Sequence, residues 1–164
     1  MSDYYQLAHE FATQTNQVIF ITGKAGTGKT TFLRKLKVET LKQTAVVAPT
    51  GIAAINAGGT TIHSFFQLPF SPFAPTPVGR KDLISKMKMR SNQQQVLREL
   101  ELLVIDEISM VRADVLDAID TVLRHYRRRD NVPFGGVQVI FIGDMFQLSP
   151  VAKRDELQIL RSFY

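Results

Sequence analysis

Four short apolar runs punctuate the chain, and each stops abruptly at a turn or at acidic residues: Val18–Thr22 before Gly23, Ala45–Ala48 before Pro49, Leu102–Ile105 before Asp106–Glu107, and Val137–Ile142 before Gly143–Asp144. Runs this short, bounded by glycine and proline, read as strands covered on both faces, the condition of a parallel sheet. Helical periodicity occupies the spaces between them. Phe32, Leu33, Leu36 and Leu41 recur at helical spacing over Thr30 to about Leu41, and Val115, Leu116, Ile119, Val122, Leu123 and Tyr126 form one apolar stripe. Strand, loop and helix in alternation predict an α/β architecture, a parallel sheet flanked by helices.

Residues 67–95 break the pattern. Pro69, Pro72, Pro75 and Pro77, mixed with Phe70 and Phe73, are denser than a regular element tolerates, and Arg80, Lys81, Lys86, Lys88 and Arg90 follow against a lone Asp82. Strands resume at Leu102, so the stretch is expected to be a small irregular insertion out of the sheet and not a domain boundary.

Composition narrows the class. With 164 residues, 45% hydrophobic and 21% charged, the chain has material for one packed domain and is not disordered overall. No apolar run is long enough to span a bilayer, and the first residues carry neither a basic start nor an apolar stretch, so no membrane partner is expected and a cytoplasmic protein is. The absence of cysteine excludes disulfides, a thiolate metal site and a cysteine nucleophile, and His9, His63 and His125 are too scattered to suggest zinc. A net charge of +5 suits a polyanionic partner without requiring one. Arg124, Arg127, Arg128 and Arg129 end a helix begun by Asp114, Asp117 and Asp120, which matches the helix dipole better than a DNA contact.

The chemistry is concentrated in three places. Gly23-Lys24-Ala25-Gly26-Thr27-Gly28-Lys29-Thr30 fits G-x-x-x-x-G-K-[ST], the phosphate-binding loop, with the strand before it and helix after it that the motif requires. Its glycines let successive backbone N–H groups point at a triphosphate, and the helix start adds a positive dipole end. Lys29 is expected to reach the β- and γ-phosphates and the Thr30 hydroxyl to ligate Mg²⁺, with Thr31 completing the nucleotide-binding run. Asp106 and Glu107 end a fully apolar strand, and parallel sheets place ligands at that end. Asp106 is the candidate Mg²⁺ holder through water, and Glu107 the group that orients and deprotonates an attacking water. In Gly143-Asp144-Met145-Phe146-Gln147-Leu148 the side-chain amide of Gln147 can both donate to a γ-phosphate and accept from a lytic water. The chain has no Asn-Lys-x-Asp for guanine selection, no Leu-Ser-Gly-Gly-Gln of transporter ATPases, and no sensor asparagine of AAA+ machines after its fourth strand.

Four segments together resemble superfamily 1 helicases of the RecD-like group, most closely the PIF (petite integration frequency) branch: Phe20–Thr30, Ala48–Ala54 with Gly58–Phe65, Val104–Met110 and Gly143–Val151. They follow the family's order and span residues 20–151. The resemblance implies a RecA-like P-loop lobe that uses ATP and Mg²⁺, in a monomeric motor moving 5′ to 3′ on single-stranded or forked DNA. It gives Lys29, Thr30, Asp106 and Glu107 the roles read above and makes Gln147 the γ-phosphate contact that links hydrolysis to DNA. It places Pro49, Thr50 and Gly51, with Thr61, His63, Ser64 and Phe65, along the DNA track, where small and hydroxyl side chains suit phosphates and Phe65 or Phe66 a base. Core packing competes for those aromatics, as the better reading of Phe66 and an equal one for His63. Gln6 matches an adenine-gripping glutamine, although it follows Tyr4-Tyr5 in place of the usual leucine-led pattern; Ser149 stands where the family commonly has proline. Residues 67–95 fall where such helicases insert a strand-separating wedge.

A motor of this kind has two RecA-like lobes, and the second supplies arginines to the site. Only thirteen residues follow Val151, so residues 1–164 are expected to be the first lobe of a longer chain. Two alternatives stand beside the helicase reading: a nucleotide-dependent DNA-binding module without turnover, and another P-loop ATPase of recombination or initiation.

Overall fold

The computed structural model describes residues 3–164 except Ala25. In chain order its elements are α1 (Asp3–Gln14), β1 (Ile19–Ile21), α2 (Lys29–Glu39), β2 (Thr44–Ala48), α3 (Gly51–Ala57), β3 (Thr60–Thr61), α4 (Ile62–Phe66), α5 (Pro77–Lys86), α6 (Ser91–Glu99), β4 (Leu102–Ile105), α7 (Ala113–Arg127), β5 (Gln138–Ile142) and α8 (Arg154–Leu160). The strands form one sheet in the order β1-β5-β4-β2-β3, and every pairing is parallel.

Leu102, Leu103, Val104 and Ile105 of the central strand are all 0% exposed. Alternation sends Leu103 and Ile105, with Val47 and Val139, into a core built by α4 to α7, and Leu102 and Val104, with Val46 and Ile140, into a second core under α1, α2 and α3. Each such aliphatic side chain contributes about 1.5–3 kcal/mol by leaving water. Phe32, Leu33 and Leu36 of α2 are buried as the spacing implied, but the helix ends at Glu39 and Leu41 lies outside it, fully solvated. The first strand is shorter than its apolar run and sits at the sheet edge. Ile19 and Ile21 pack on the α2 core while Phe20, on the other face of this edge strand, is half exposed. A fifth strand, β3, escaped the sequence reading: it is two residues long, and pairs Thr60 with Val47 and Thr61 with Ala48.

The proline-rich segment forms neither helix nor strand from Gln67 to Thr76, as its composition implies. Beyond that point the expectation of an irregular excursion is corrected. Pro77 occupies the first turn of α5, where a missing N–H costs nothing, and Thr76 caps the helix by accepting from the Gly79 N–H at 3.0 Å. Phe73, Leu83, Met87, Met89 and Leu97 then complete the core on one face of the sheet.

Polar anchors fix the ends. Gln138, the one polar residue in its strand, is 1% exposed and donates to the carbonyls of Phe11 and Gln17, while Lys42 donates to Gln138 Oε1 at 2.6 Å and to the Ala12 carbonyl. Together they tie the end of α1 to the sheet. The arginine cluster does more than balance a dipole: Arg127 donates to the carbonyls of Leu97, Arg98 and Leu100, closing the end of α6, and to that of Gly135. No described helix is long and apolar enough to cross a membrane.

Among the described residues Asp114 is the most buried charge, 1% exposed, and it receives Arg112 at 2.9 and 2.7 Å and the Phe73 N–H at 3.0 Å; Arg112 also reaches Glu156 of α8 at 3.1 Å. Burial pushes the Asp114 carboxyl up, but the hydrogen bonds from Arg112 and Phe73 outweigh it and hold the group below the usual carboxylate range. A depressed carboxylate stabilises the fold fully above its unfolded value of about 3.9 and loses that contribution as pH falls through its folded value. Asp114→Ala should therefore cost about 3–5 kcal/mol in equilibrium denaturation at pH 7, by stranding Arg112. The deficit relative to the unmutated chain should shrink once the pH is lowered below about 4.

Candidate functional site

Four strands of the sheet run parallel to a common edge, and the segments leaving it there carry the motif residues. After β1 the chain turns through residues 22–28 into α2. Gly26 and Gly28 have φ of 79° and 91°, and a Cβ at either would meet nothing within 4 Å, so it is the left-handed backbone and not space that requires glycine. Lys29 arcs back across the loop, its ammonium donating to the carbonyls of Gly23 at 2.5 Å and Lys24 at 3.0 Å. The Thr27 hydroxyl closes the loop on the Lys24 carbonyl at 2.8 Å. Ala25 lies outside the described residues. Thr30 and Thr31 are exposed at the helix start.

At the end of β4, the Asp106 N–H donates to the Val47 carbonyl and continues the ladder by one residue. Asp106 Oδ1 accepts the Glu107 N–H at 3.0 Å. Glu107 has φ 53° and ψ 46°, a left-handed conformation that costs a non-glycine residue of order 1–3 kcal/mol and persists mainly where surroundings or function require it. Burial pushes the Asp106 carboxyl above its usual range and the Glu107 charge adds to this, against the Glu107 N–H bond and the nearby Lys29 ammonium.

After β5, Asp144 organises a turn: its carboxylate accepts the Phe146 N–H at 3.0 Å and the Gln147 side-chain amide at 3.3 Å, and its carbonyl accepts the Gln147 N–H. These three segments meet. Thr30, Asp106, Glu107 and Gln147 line one cleft of about 380 Å³, together with Thr50 at the start of α3 and Ser109 on the 3-10 turn Ile108–Met110. Asn56 also lines it; a helix beginning after Thr50 puts Ala53 and Asn56 three residues apart on one face, a spacing that could have indicated it. Among the described residues no three His, Cys, Asp or Glu gather to cage a metal. The donor set of one carboxylate and one hydroxyl fits Mg²⁺, which keeps waters and takes further oxygens from phosphate.

The residues expected along a DNA track divide. Pro49, Thr50 and Gly51 leave β2 at the same sheet edge, with the Thr50 hydroxyl capping α3 by accepting from the Ala53 N–H. Thr61 caps α4 in the same way from Ser64, which is exposed. His63 is half-buried and stacks on Phe70, ring centroids 4.8 Å apart; with Pro49, Met110 and Arg112 it lines a small cleft next to the first. Burial and then the Arg112 charge lower the His63 pKa, against Asp114. Phe65 is not brought to this edge. It packs edge-on against the buried Phe66 and faces Gln43, Val96 and Leu100 beside the opposite end of β2, because α4 turns it there. Gln6 is exposed and donates to Glu10 at 3.0 Å. The Tyr5 ring against Phe32 brings the start of α1 to the first turn of α2, but Gln6 does not line the cleft.

A glycine-rich loop opening a helix, two acids at the end of the neighbouring central strand and a glutamine after the next define a P-loop nucleotide-binding lobe of RecA-like α/β type. The family described as PIF1-like helicase matches residues 3–162, and the chain belongs to that family. It is 44% identical over 144 residues to the ATP-dependent DNA helicase PIF1 of Saccharomyces cerevisiae, covering 82% of this chain and 16% of that protein. It is 41% identical over 146 residues to the ATP-dependent DNA helicase PIF1 of Homo sapiens, covering 87% of this chain and 21% of that protein. A crystal structure of Pif1 helicase from Bacteroides in complex with ADP-AlF3 and ssDNA superposes with a TM-score of 0.90 at 49% identity, covering 99% of this chain and 36% of that one. The chain thus spans about a fifth of these curated relatives and just over a third of that structure.

The raised Asp106 pKa has a measurable sign. A carboxyl raised in the folded state opposes folding above its unfolded value, and the penalty grows as pH rises through the folded value. Without divalent cation, Asp106→Asn should melt at the same temperature as the unmutated chain below about pH 4 and above it at pH 7. Adding Mg²⁺ and ADP should raise the melting temperature of the unmutated chain and leave the variant nearly unmoved.

Proposed function

We propose that this lobe binds Mg·ATP and contributes half of the hydrolytic site, and part of the DNA track, of a 5′-to-3′ DNA helicase. The observation that carries the reading is the single cleft shared by Thr30, Asp106, Glu107 and Gln147, beside the loop bridged by Lys29. Loop N–H groups from residues 23–31 cradle the phosphates, and Lys29 exchanges its loop carbonyls for the β- and γ-phosphate oxygens. Thr30 and, through water, Asp106 would hold Mg²⁺, which would supply positive charge against the β- and γ-phosphate oxygens. Glu107 orients a water and takes its proton as the water oxygen bonds to the γ-phosphorus and the bond to the ADP oxygen breaks. Gln147 donates to the γ-phosphate, and Gln6 is assigned the adenine edge at the start of α1.

Pro49, Thr50, Gly51, Thr61, His63 and Ser64 are assigned to the DNA track. Within residues 67–95, exposed Phe70 and the cations Arg80, Lys81 and Lys88 are assigned to meet the duplex ahead of the motor. Support comes from the Bacteroides relative, solved with ADP-AlF3 and ssDNA at 49% identity.

For the 164 residues alone a second reading is favoured, a nucleotide-binding module without appreciable turnover. No arginine is among the described residues lining the cleft, and an arginine supplied from another lobe is worth roughly 10³–10⁵ in rate. The chain alone should bind Mg·ADP weakly in titration calorimetry and release phosphate at least about 10³-fold more slowly than a two-lobe protein carrying it. Lys29→Ala should weaken both binding and turnover, and Glu107→Gln should keep binding and abolish turnover in the two-lobe protein. Phosphate release by the lone chain at the two-lobe rate would overturn the half-site reading.

A further inference from the structure

The chemistry above leaves one buried polar group in the cleft without a task. Ser109 is 5% exposed, and its hydroxyl has no hydrogen-bond partner among the described residues. Buried hydroxyls are paired in the great majority of cases, and an unpaired one is costly, so its retention in a site calls for a partner acquired in another state.

The position of Ser109 narrows the choice of partner. It lines the same cleft as Glu107 and Gln147. Its turn is pressed against the end of β5: a Cβ on Gly143 would lie 3.0 Å from the Ile108 nitrogen and 3.5 Å from the Ser109 nitrogen. The 3-10 turn thus abuts the segment that carries Asp144 and Gln147. Glu107 precedes Ser109 by two residues, and side chains so spaced on a helical turn do not face each other. Asp106 Oδ1 already accepts the Glu107 N–H. Gln147 donates its amide nitrogen to Asp144 Oδ2 at 3.3 Å, and no described group donates to its Oε1.

We propose that Ser109 is a positioning residue for Gln147, its hydroxyl donating to Gln147 Oε1 when nucleotide is bound. Rotation of the amide by half a turn would exchange oxygen for nitrogen and present a lone pair to the γ-phosphate. With Oε1 held by Ser109 and one amide N–H held by Asp144, the second N–H is left for the γ-phosphate and that rotation is blocked. The acid-bearing turn and the glutamine-bearing turn are thereby joined by a hydrogen bond that forms only around a triphosphate. The proposal rests on the nucleotide-binding reading, and the test separates the two.

The test compares affinities of the 164-residue chain for Mg·ADP and for the Mg²⁺ complex of the β,γ-imido analogue of ATP, by titration calorimetry, with thermal melting alongside. Ser109→Ala should bind Mg·ADP as the unmutated chain does and bind the triphosphate analogue about fivefold more weakly, the loss of one neutral hydrogen bond. Its melting temperature should be unchanged or higher, because an unpaired buried hydroxyl is removed. Gln147→Ala should show the same selective loss, and the double variant no more than either single one. A serine with a merely structural role would move the melting temperature and leave the ratio of the two affinities alone. An unchanged ratio in Ser109→Ala, or losses that add in the double variant, would overturn the proposal. If the unmutated chain binds neither nucleotide, or Lys29→Ala binds both as well as it does, the nucleotide-binding reading itself falls and takes this one with it.

Discussion

Burial of β4 on both faces governs where the chemistry emerges. Leu102 and Val104 lie under α2, and Leu103 and Ile105 under the helices that follow β3. A strand enclosed in this way carries no polar side chain until it leaves the sheet, so its first carboxylate appears at the edge. Register then levels the neighbours. Ile105 pairs with Val47 and with Phe141, and Ile21 pairs with Ile142. One row further on, Asp106, Ala48, Ile142 and Ile21 therefore stand side by side, and the phosphate loop, the Thr50 cap and the Asp144 turn all begin just beyond that row. The cleft is a consequence of parallel strands ending together.

The Arg112–Asp114 pair has a different kind of importance. Buried ion pairs often contribute little net stability compared with apolar replacements of the same shape. This one ties together segments far apart in the sequence. Asp114 receives the Phe73 N–H from the proline-rich stretch, and Arg112, two residues beyond the Ser109 turn, reaches Glu156 of α8. Its charge also bears on His63. The turn following Asp106 and Glu107 thus shares an anchor with the insertion and with the segment after Gln147.

The sheet, the phosphate loop and the acid pair were legible because each rests on local pattern: an apolar run, a glycine spacing, a carboxylate at a strand end. What was not legible depends on partners distant in sequence. Gln138 looks like a flaw in an apolar strand until Phe11 and Gln17 supply its acceptors. Asp114 and Arg127 look like dipole charges until Phe73 in the one case and the end of α6 in the other are brought to them. β3 was too short to make a pattern. Phe65 lies away from the cleft because α4, only five residues long, carries it toward Gln43 and Val96. Ser109 lay inside a recognised motif, but nothing in its neighbours reveals that its hydroxyl is buried and unpaired.

The composition of the cleft bears on how such a lobe is controlled. Its lining carries two carboxylates, hydroxyls and the amides of Asn56 and Gln147, with the Lys29 ammonium held in the loop beside it, and among the described residues no guanidinium. Those groups can hold a metal-bound triphosphate and aim a water at it, yet one ammonium and one divalent ion leave part of the charge that develops on the transferring phosphate unopposed. In the proposed reading that charge is met only when a second lobe closes on the open side. The same sheet edge carries Pro49, Thr50 and the His63–Phe70 stack, so a strand of DNA lying there would be positioned beside the hydrolytic groups. In that reading hydrolysis would depend on closure, and closure would bring the proposed DNA-facing segments of both lobes together. A lobe that neutralised the transition state by itself would hydrolyse nucleotide whether or not DNA was engaged, and would lose the coupling that the shared edge makes possible.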